Sequence, residues 1–264
     1  MSERTVLRHA EGGVLTLTLN RPEIRNALSM TMVLELREAL EDAEHDGHTR
    51  VIVLRGAGGH FTAGADIKDM ANARMRLASD PDAIVKINAA FGELCVAYAG
   101  TGLALVTVLE GTVMGGGMGL ACVSDVTLAA DTTVFRLPET SLGVVPAQIG
   151  PFLVERLGYA QAKRLAVTGG KVDAHKALAM GLVHEVHATA ALDAALQRVL
   201  HEILQCAPGA LAATKALIAK ARFHSPASLV QHAAEVFSRA ALSEEGTEGQ
   251  VAFLQKRKAG WMPQ

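Results

Sequence analysis

The sequence predicts an α/β core over residues 1–190 and a helical region over residues 191–264. Three observations carry that expectation. Short apolar runs of β character alternate with stretches of helical periodicity, the pattern of strands covered by helices. Two of those runs are followed by glycine-bearing segments standing where helices begin. Near Ala190 the strand signals cease and only helical periodicity continues.

The elements follow in order. Val14–Leu19 alternates with period two, leucines on one face and Val/Thr on the other, and reads as a strand. Ser29 is placed to cap a helix carrying Met32, Val33, Leu36 and Leu40 at helical spacing. Residues 51–54 form an apolar run bounded by Gly56 and Gly58, which suits a buried strand. Asp66 stands where the next helix needs its N-cap. Residues 70–82 mix Ala and Arg with Asp80-Pro81 and read as a helical or mobile segment lining a pocket. A strand over 103–109, a triple-glycine loop, a helix to about Ser124 and a strand over 125–129 come next. Gly158, Gly169 and Gly181 punctuate helix ends as C′ glycines do. The last region reads as helices over 190–205, 210–222 and 228–242. A fourth begins at Thr247, where Thr247 and Gln250 make a capping box.

Composition bounds the function. Half of the 264 residues are hydrophobic, a fifth are charged and the formal net charge is −2, which argues against nucleic acid or an anionic membrane as partner. Aromatics are only 4%, so the core must be aliphatic and alanine-rich. No run approaches the ~18 apolar residues of a membrane span, and the N-terminal residues resemble neither a secretory signal nor a transit peptide. Cys95, Cys122 and Cys206 are odd in number and lack CxxC spacing, which favours buried thiols in a reducing cytoplasm and no metal site. His9, His60, His184 and His187 lack metal-ligand spacing and read as surface or loop residues.

The chemistry centres on two segments, Phe61-Thr62-Ala63-Gly64-Ala65-Asp66-Ile67 and Met114-Gly115-Gly116-Gly117-Met118-Gly119. Each follows a strand and opens a helix, so backbone N–H groups are left without intrahelical acceptors. One donor from each segment, converging on a carbonyl oxygen, makes an oxyanion hole. The alternative is that these glycines merely permit tight helix–strand packing; the presence of both segments favours the oxyanion hole. Dinucleotide binding is not supported, because G-x-G-x-x-G from Gly115 and Gly117 would need glycine where Leu120 stands. No Gly-Lys-Ser/Thr of a Walker loop follows either segment.

Further motifs stand in a characteristic order: Asn20-Arg21-Pro22-Glu23-Ile24-Arg25-Asn26-Ala27-Leu28, then Phe135-Arg136-Leu137-Pro138-Glu139, Leu142-Gly143-Val144-Val145-Pro146, Thr168-Gly169, Ala179-Met180-Gly181-Leu182-Val183 and Phe253-Leu254-Gln255-Lys256-Arg257. With the two glycine segments, they make the chain resemble the enoyl-CoA hydratase/isomerase (crotonase) family over essentially its whole length. The resemblance implies a spiral of ββα units with a helical C-terminal trimerisation region. It also implies a homotrimer or a hexamer of two trimers, and a cytoplasmic enzyme without membrane or nucleic-acid partner. The substrate would be an acyl-CoA thioester, with coenzyme A part of the substrate and no other cofactor or metal.

Carried over residue by residue, the resemblance makes the N–H groups of Ala65 and Gly116 the oxyanion donors, with Gly64, Gly115 and Gly119 beside the acyl group. Glu139 would move the proton or activate water, its pKa raised in an apolar pocket flanked by Phe135, Pro138 and Leu142. The alternative for Glu139 is an N-cap or surface glutamate. Lys68, with Ala63, Asp66 and Ile67 around it, would meet the CoA phosphates; Phe237, Phe253 and Lys256 would reach a neighbouring subunit's adenine and phosphates. Lys68 and Lys256 also fit plain solvated helix faces.

The chain departs from the best-known hydratases at Gly119, where they carry a second glutamate; Glu110 and Asp69 are the other carboxylates to consider, both reading better as structural. That departure leaves hydration and single-base double-bond isomerisation both open, with a non-catalytic binding role on the same scaffold as a further alternative. The run through the triple glycine, together with Val145-Pro146-Ala147-Gln148-Ile149-Gly150-Pro151, is similar to the bacterial methylglutaconyl-CoA and isohexenylglutaconyl-CoA hydratase branch. Glutaconyl groups carry a distal carboxylate, for which Arg136 is a suitable bidentate partner; a surface or interface salt bridge is the alternative for Arg136.

Overall fold

A computed structural model describes residues 4–263. The chain opens on β1 (Val6–Glu11) and β2 (Val14–Leu19), followed by α1 (Met30–His45), β3 (Val51–Gly56), α2 (Ile67–Met75) and α3 (Ala83–Gly100). β4 (Ala104–Leu109), β5 (Thr112–Met114), α4 (Gly116–Val123), β6 (Val126–Ala130) and β7 (Val134–Arg136) come next. Then come α5 (Gly150–Thr168), β8 (Lys171–Asp173), α6 (Ala174–Ala179) and β9 (Glu185–His187). Four helices end the chain: α7 (Leu192–Leu204), α8 (Pro208–Ala221), α9 (Pro226–Ala241) and α10 (Glu244–Leu254).

Six strands form one sheet in the order β1-β2-β3-β4-β6-β9, antiparallel only between β1 and β2. A smaller sheet, β5-β7-β8, stands apart from it. β3 shows why its sequence is apolar without alternation: both faces are covered. Ile52 and Leu54, with Leu15, Leu17 and Leu19 of β2, pack towards α1, α3, α4 and α5. Val51 and Val53 face the other way, against Leu192, Leu196, Val199 and Leu200 of α7. Ser29 caps α1 by accepting from Met32 N–H (3.2 Å), and Met32, Leu36 and Leu40 are buried, as expected.

Several expectations are corrected. α3 carries no side-chain cap and its apolar residues run all round it, so neither a start signal nor an amphipathic stripe announces it. It is also the one helix among the described residues long and apolar enough by composition to cross a membrane, although Lys86, Asn88 and Glu93 interrupt its apolar residues. In the fold α3 buries Leu94, Cys95 and Tyr98, and the Tyr98 hydroxyl donates to the Leu36 carbonyl at 2.9 Å. The final helix starts at Glu244, three residues before Thr247. Its cap is Ser243, which accepts from Gly246 N–H, while the Thr247 hydroxyl donates back to the Ser243 carbonyl. Gly169 is the left-handed C-cap of α5 and Gly181 follows α6 with φ +78°, but Gly158 is a kink inside α5.

Candidate functional site

The two glycine segments meet edge to edge. Thr62 N–H donates to the Thr112 carbonyl and Met114 N–H to the Thr62 carbonyl, both at 3.0 Å, so residues 62 and 113 pair as a short parallel bridge. Beyond it the backbones stay in contact: a Cβ on Gly64 (φ +87°) would lie 3.0 Å from the Met114 carbonyl oxygen. Gly115 adopts φ +48°, and a Cβ there would lie 2.8 Å from Glu139 Oε1 and 4.0 Å from Gly64 Cα. Only glycine tolerates this approach. Gly64, Gly115 and the Glu139 carboxylate therefore converge on one spot.

The donors expected at this spot are free. Ala63 N–H donates to the Arg25 carbonyl, Gly64 N–H to Thr62 Oγ1 and Asp66 N–H to the Leu28 carbonyl, which skips Ala65. In α4, Met118 N–H and Gly119 N–H both return to the Gly115 carbonyl, and Gly115 N–H goes to the Arg136 carbonyl. Gly116 N–H, at the positive end of the α4 dipole, has no acceptor among the described residues. A Cβ on Gly116 would strike Leu28 Cδ1 (2.9 Å) and Phe91 Cζ (3.0 Å), so these apolar side chains wall the spot in front of α4.

Glu139 opens a 3-10 turn after Pro138, its carbonyl fixed by Val144 N–H at 3.0 Å. Its Oε2 is buried and has no hydrogen-bond partner among the described residues. Burial pushes the carboxyl above the usual carboxylate range, only partly opposed by a backbone hydrogen bond. Phe135 and Pro138 are buried beside it as expected, whereas Leu142, at the end of the same turn, is 69% exposed. Asp69 accepts from Met30 N–H at 2.7 Å and Glu110 pairs with Arg55, so both serve structure. At Gly119 there is no vacant space for a second carboxylate. A Cβ there would collide with Ile149 Cγ2, and Phe91 Cε1 lies 3.6 Å away.

The remaining expected residues distribute as follows. Asp66 caps α2 by accepting from Lys68 N–H (2.8 Å); Ile67 and Lys68 are exposed beside it, and Ala63 is partly buried. Arg136 is exposed on the side of the small sheet opposite Phe135, level with Lys171 on β8. Among the described residues neither carries an ion pair, so the salt-bridge alternative finds no partner within the chain. Phe237, Phe253 and Lys256 are exposed on α9 and at the end of α10. Cys95 is buried, and burial pushes the Cys95 and Cys122 thiols up to about 12; Cys206 is exposed, contrary to expectation. His60 and His184 both lie in loops as expected, His60 partly buried and His184 exposed, each accepting a backbone N–H, from Thr112 and Thr127. Phe91 and Ile149 were invisible as site residues because nothing in their own surroundings marks them; Gly116 and Gly119, which they touch, were the signal.

Comparison with known proteins agrees with this fold. The model of the family described as enoyl-CoA hydratase/isomerase matches residues 9–264. A 2,3-dehydroadipyl-CoA hydratase of Escherichia coli is 32% identical over 97% of each chain. Among solved structures, Pseudomonas aeruginosa AtuE is 48% identical with a TM-score of 0.94, covering 98% of this chain and 100% of its own. An enoyl-CoA hydratase/isomerase from Marinobacter aquaeolei is 45% identical with a TM-score of 0.93, covering 97% and 98%. The chain belongs to the enoyl-CoA hydratase/isomerase family, has the crotonase fold and is an enzyme of the enoyl-CoA hydratase type.

Proposed function

We propose that this member of the enoyl-CoA hydratase/isomerase family hydrates a branched glutaconyl-CoA, of the methylglutaconyl or isohexenylglutaconyl type, using Glu139 as its one catalytic carboxylate. The Ala65 and Gly116 N–H groups hold the thioester oxygen. Glu139 takes a proton from water as the water oxygen bonds to Cβ, and the π electrons move onto the thioester oxygen as an enolate. The enolate collapses as Cα takes the proton back from Glu139, so one water is added and the carboxylate is restored. Because one carboxylate serves both atoms, water adds to a single face of the double bond.

The observation that carries this reading is the Glu139 carboxylate held against Gly115, with Oε2 unpartnered and the pKa raised towards neutrality. The space at Gly119 occupied by Ile149 supports a single-carboxylate mechanism, and it equally favours the second reading, double-bond isomerisation with Glu139 as sole shuttle. The distal carboxylate is supported by the unpaired Arg136 and by a relative whose name specifies a dehydroadipyl-CoA. Lys68 on one subunit and Phe237, Phe253 and Lys256 on its neighbour would hold coenzyme A in a trimer or hexamer. Their exposure suits that role.

Mass spectrometry of products from methylglutaconyl-CoA, a longer branched glutaconyl-CoA and plain 2- and 3-enoyl-CoAs tests the proposal. Gain of one water on a glutaconyl substrate supports it; a rearranged product of unchanged mass establishes the isomerase instead. Arg136→Leu should lower kcat/KM on the dicarboxylic substrate at least tenfold more than on a plain enoyl-CoA. Equal losses would remove Arg136 from recognition.

A further inference from the structure

We infer that the partly buried Arg21–Asp66 ion pair is a positioning device for the Ala65 N–H, aiming that donor at the substrate carbonyl. The inference rests on the oxyanion reading proposed above. Asp66 is 6% exposed and its two carboxylate oxygens are divided between two tasks. Oδ1 accepts from Lys68 N–H at 2.8 Å and so starts α2; Oδ2 accepts from Arg21 Nη1 at 2.7 Å. The same Nη1 donates to the Ala27 carbonyl at 2.8 Å, so one guanidinium nitrogen ties the residue after Ala65 to the segment running under it.

That segment is itself rigid. Arg25 and Asn26 sit in the left-handed region, at φ +51° and +55°, where non-glycine residues are held only by their surroundings. Asn26 is fully buried: its Oδ1 accepts from Arg21 N–H, and its Nδ2 donates to the carbonyls of Ala57 (2.9 Å) and His60 (2.7 Å). The 20–28 segment then engages the donor loop on both sides of Ala65. The Arg25 carbonyl takes Ala63 N–H, Leu28 N–H goes to the Gly64 carbonyl, and the Leu28 carbonyl takes Asp66 N–H. The Asn26 carbonyl accepts from the Thr62 hydroxyl at 2.6 Å. Ala65 N–H is thus the one loop donor from residue 62 to 66 left free, and the peptide planes around it are fixed from below. The Arg21–Asp66 pair closes this lattice on the helix side, where the loop would otherwise pivot with α2. Burial alone would push the Asp66 carboxyl up, yet it lies below the usual carboxylate range because Arg21 and Lys68 outweigh burial, so the pair stays ionised at neutral pH.

The test compares wild type with Arg21→Met, Arg21→Lys and Asp66→Asn, the last keeping a good helix cap while discarding the ion pair. The readouts are kcat and KM on the best enoyl-CoA, and the infrared carbonyl band of bound hexanoyl-CoA labelled with ¹³C at the thioester carbon. Wild type should show the band shifted to lower frequency than in free hexanoyl-CoA. Arg21→Met and Asp66→Asn should lose most of that shift and about 10- to 100-fold in kcat with KM within about threefold, the scale of misplacing a reacting group by an ångström. Arg21→Lys should recover part of both, and Arg8→Met, which breaks a remote surface cluster, should change neither. An Asp66→Asn protein that folds and keeps the full band shift overturns the positioning role, as does a loss confined to KM. A wild-type band with no shift would instead overturn the oxyanion reading beneath it.

Discussion

Gly119 and Ile149 should be strongly coupled in stability, and the size of the coupling can be worked from their contact. Gly119 lies inside α4 and is buried. A methyl group there would meet Ile149 Cγ2 well inside the distance any real Cβ allows, whereas carbon atoms prefer about 3.5–4.0 Å. Ile149 cannot swing away easily: it is β-branched, 3% exposed and stands at the start of α5. Gly119→Ala should therefore cost about 1–3 kcal/mol in overpacking, offset by about 0.8–1 kcal/mol of helix propensity. Ile149→Ala alone should cost about 2–5 kcal/mol through the cavity it leaves. In the double variant the methyl group introduced at position 119 occupies part of that cavity, so the cost of Gly119→Ala should vanish or change sign. The expected coupling is about 1–3 kcal/mol, measured by urea unfolding of all four proteins at one protomer concentration. Two single costs that add to within about 0.5 kcal/mol would refute the claim that Ile149 fills the place of a second carboxylate. Installing a glutamate at 119 without opening Ile149 should then yield an unstable protein, not a two-carboxylate enzyme.

Glu139→Gln should lower kcat on the enoyl-CoA substrate by about 10²–10⁴-fold if Glu139 is the acid and base, as steady-state assays would read. The same variant should melt higher than wild type at neutral pH. The native pKa of Glu139 is raised, so its ionised form opposes folding: the penalty is absent below the unfolded value of about 4.3 and grows as pH rises through the native pKa. Melting curves from about pH 4 to 8 should show the gap opening in that direction; a gap that closes with rising pH would contradict a desolvated carboxylate. A third expectation concerns assembly. The groove of ≈ 1350 Å³ between α8, α9 and α10 and the exposure of Leu242, Phe253 and Leu254, each about four-fifths exposed, suit burial by other copies of the chain. Phe253→Glu with Leu254→Glu should convert a trimer or hexamer to monomers by light scattering. A wild-type monomer would dismiss the proposal.

What could be read in advance followed where local physics was decisive. Val14–Leu19 announced itself by its alternation and residues 51–54 by an unbroken apolar run between turn glycines, because β2 and β3 are paired and covered in ways that favour those patterns. The glycine loops were legible because their backbones must approach one another and the Glu139 carboxylate, and few residues but glycine permit that. α3 was not legible. It lacks a capping side chain, and its exposed face carries Val85 and Val96, so no polar stripe marks it and its contacts with α1, α2 and α4, not propensity, define it. The Thr247 capping box failed for a related reason: Ser243, four residues earlier, supplied an equally good cap with Glu244 and Glu245 in the favourable first turn.

The failure over α3 explains what the sequence left open about the site. Phe91 reaches Gly116 from α3, and Ile149 fills the space at Gly119 from the start of α5, so the apolar wall comes from elements remote in sequence from both glycine loops. Lack of a glutamate at 119 read alone leaves two possibilities, a vacancy that water or substrate could enter, or a filled position. The packing of Ile149 selects the second. A filled position cannot hold a water-activating group, so on the single-carboxylate reading proposed above any proton the reaction moves at Cα passes through Glu139 or comes from solvent. Hydration in deuterated water distinguishes those routes. Proton return by Glu139 to the face from which water was activated should give a single diastereomer labelled at Cα, with the new C–O and C–D bonds on the same side. A mixture of Cα diastereomers would mean that solvent, not Glu139, quenches the enolate.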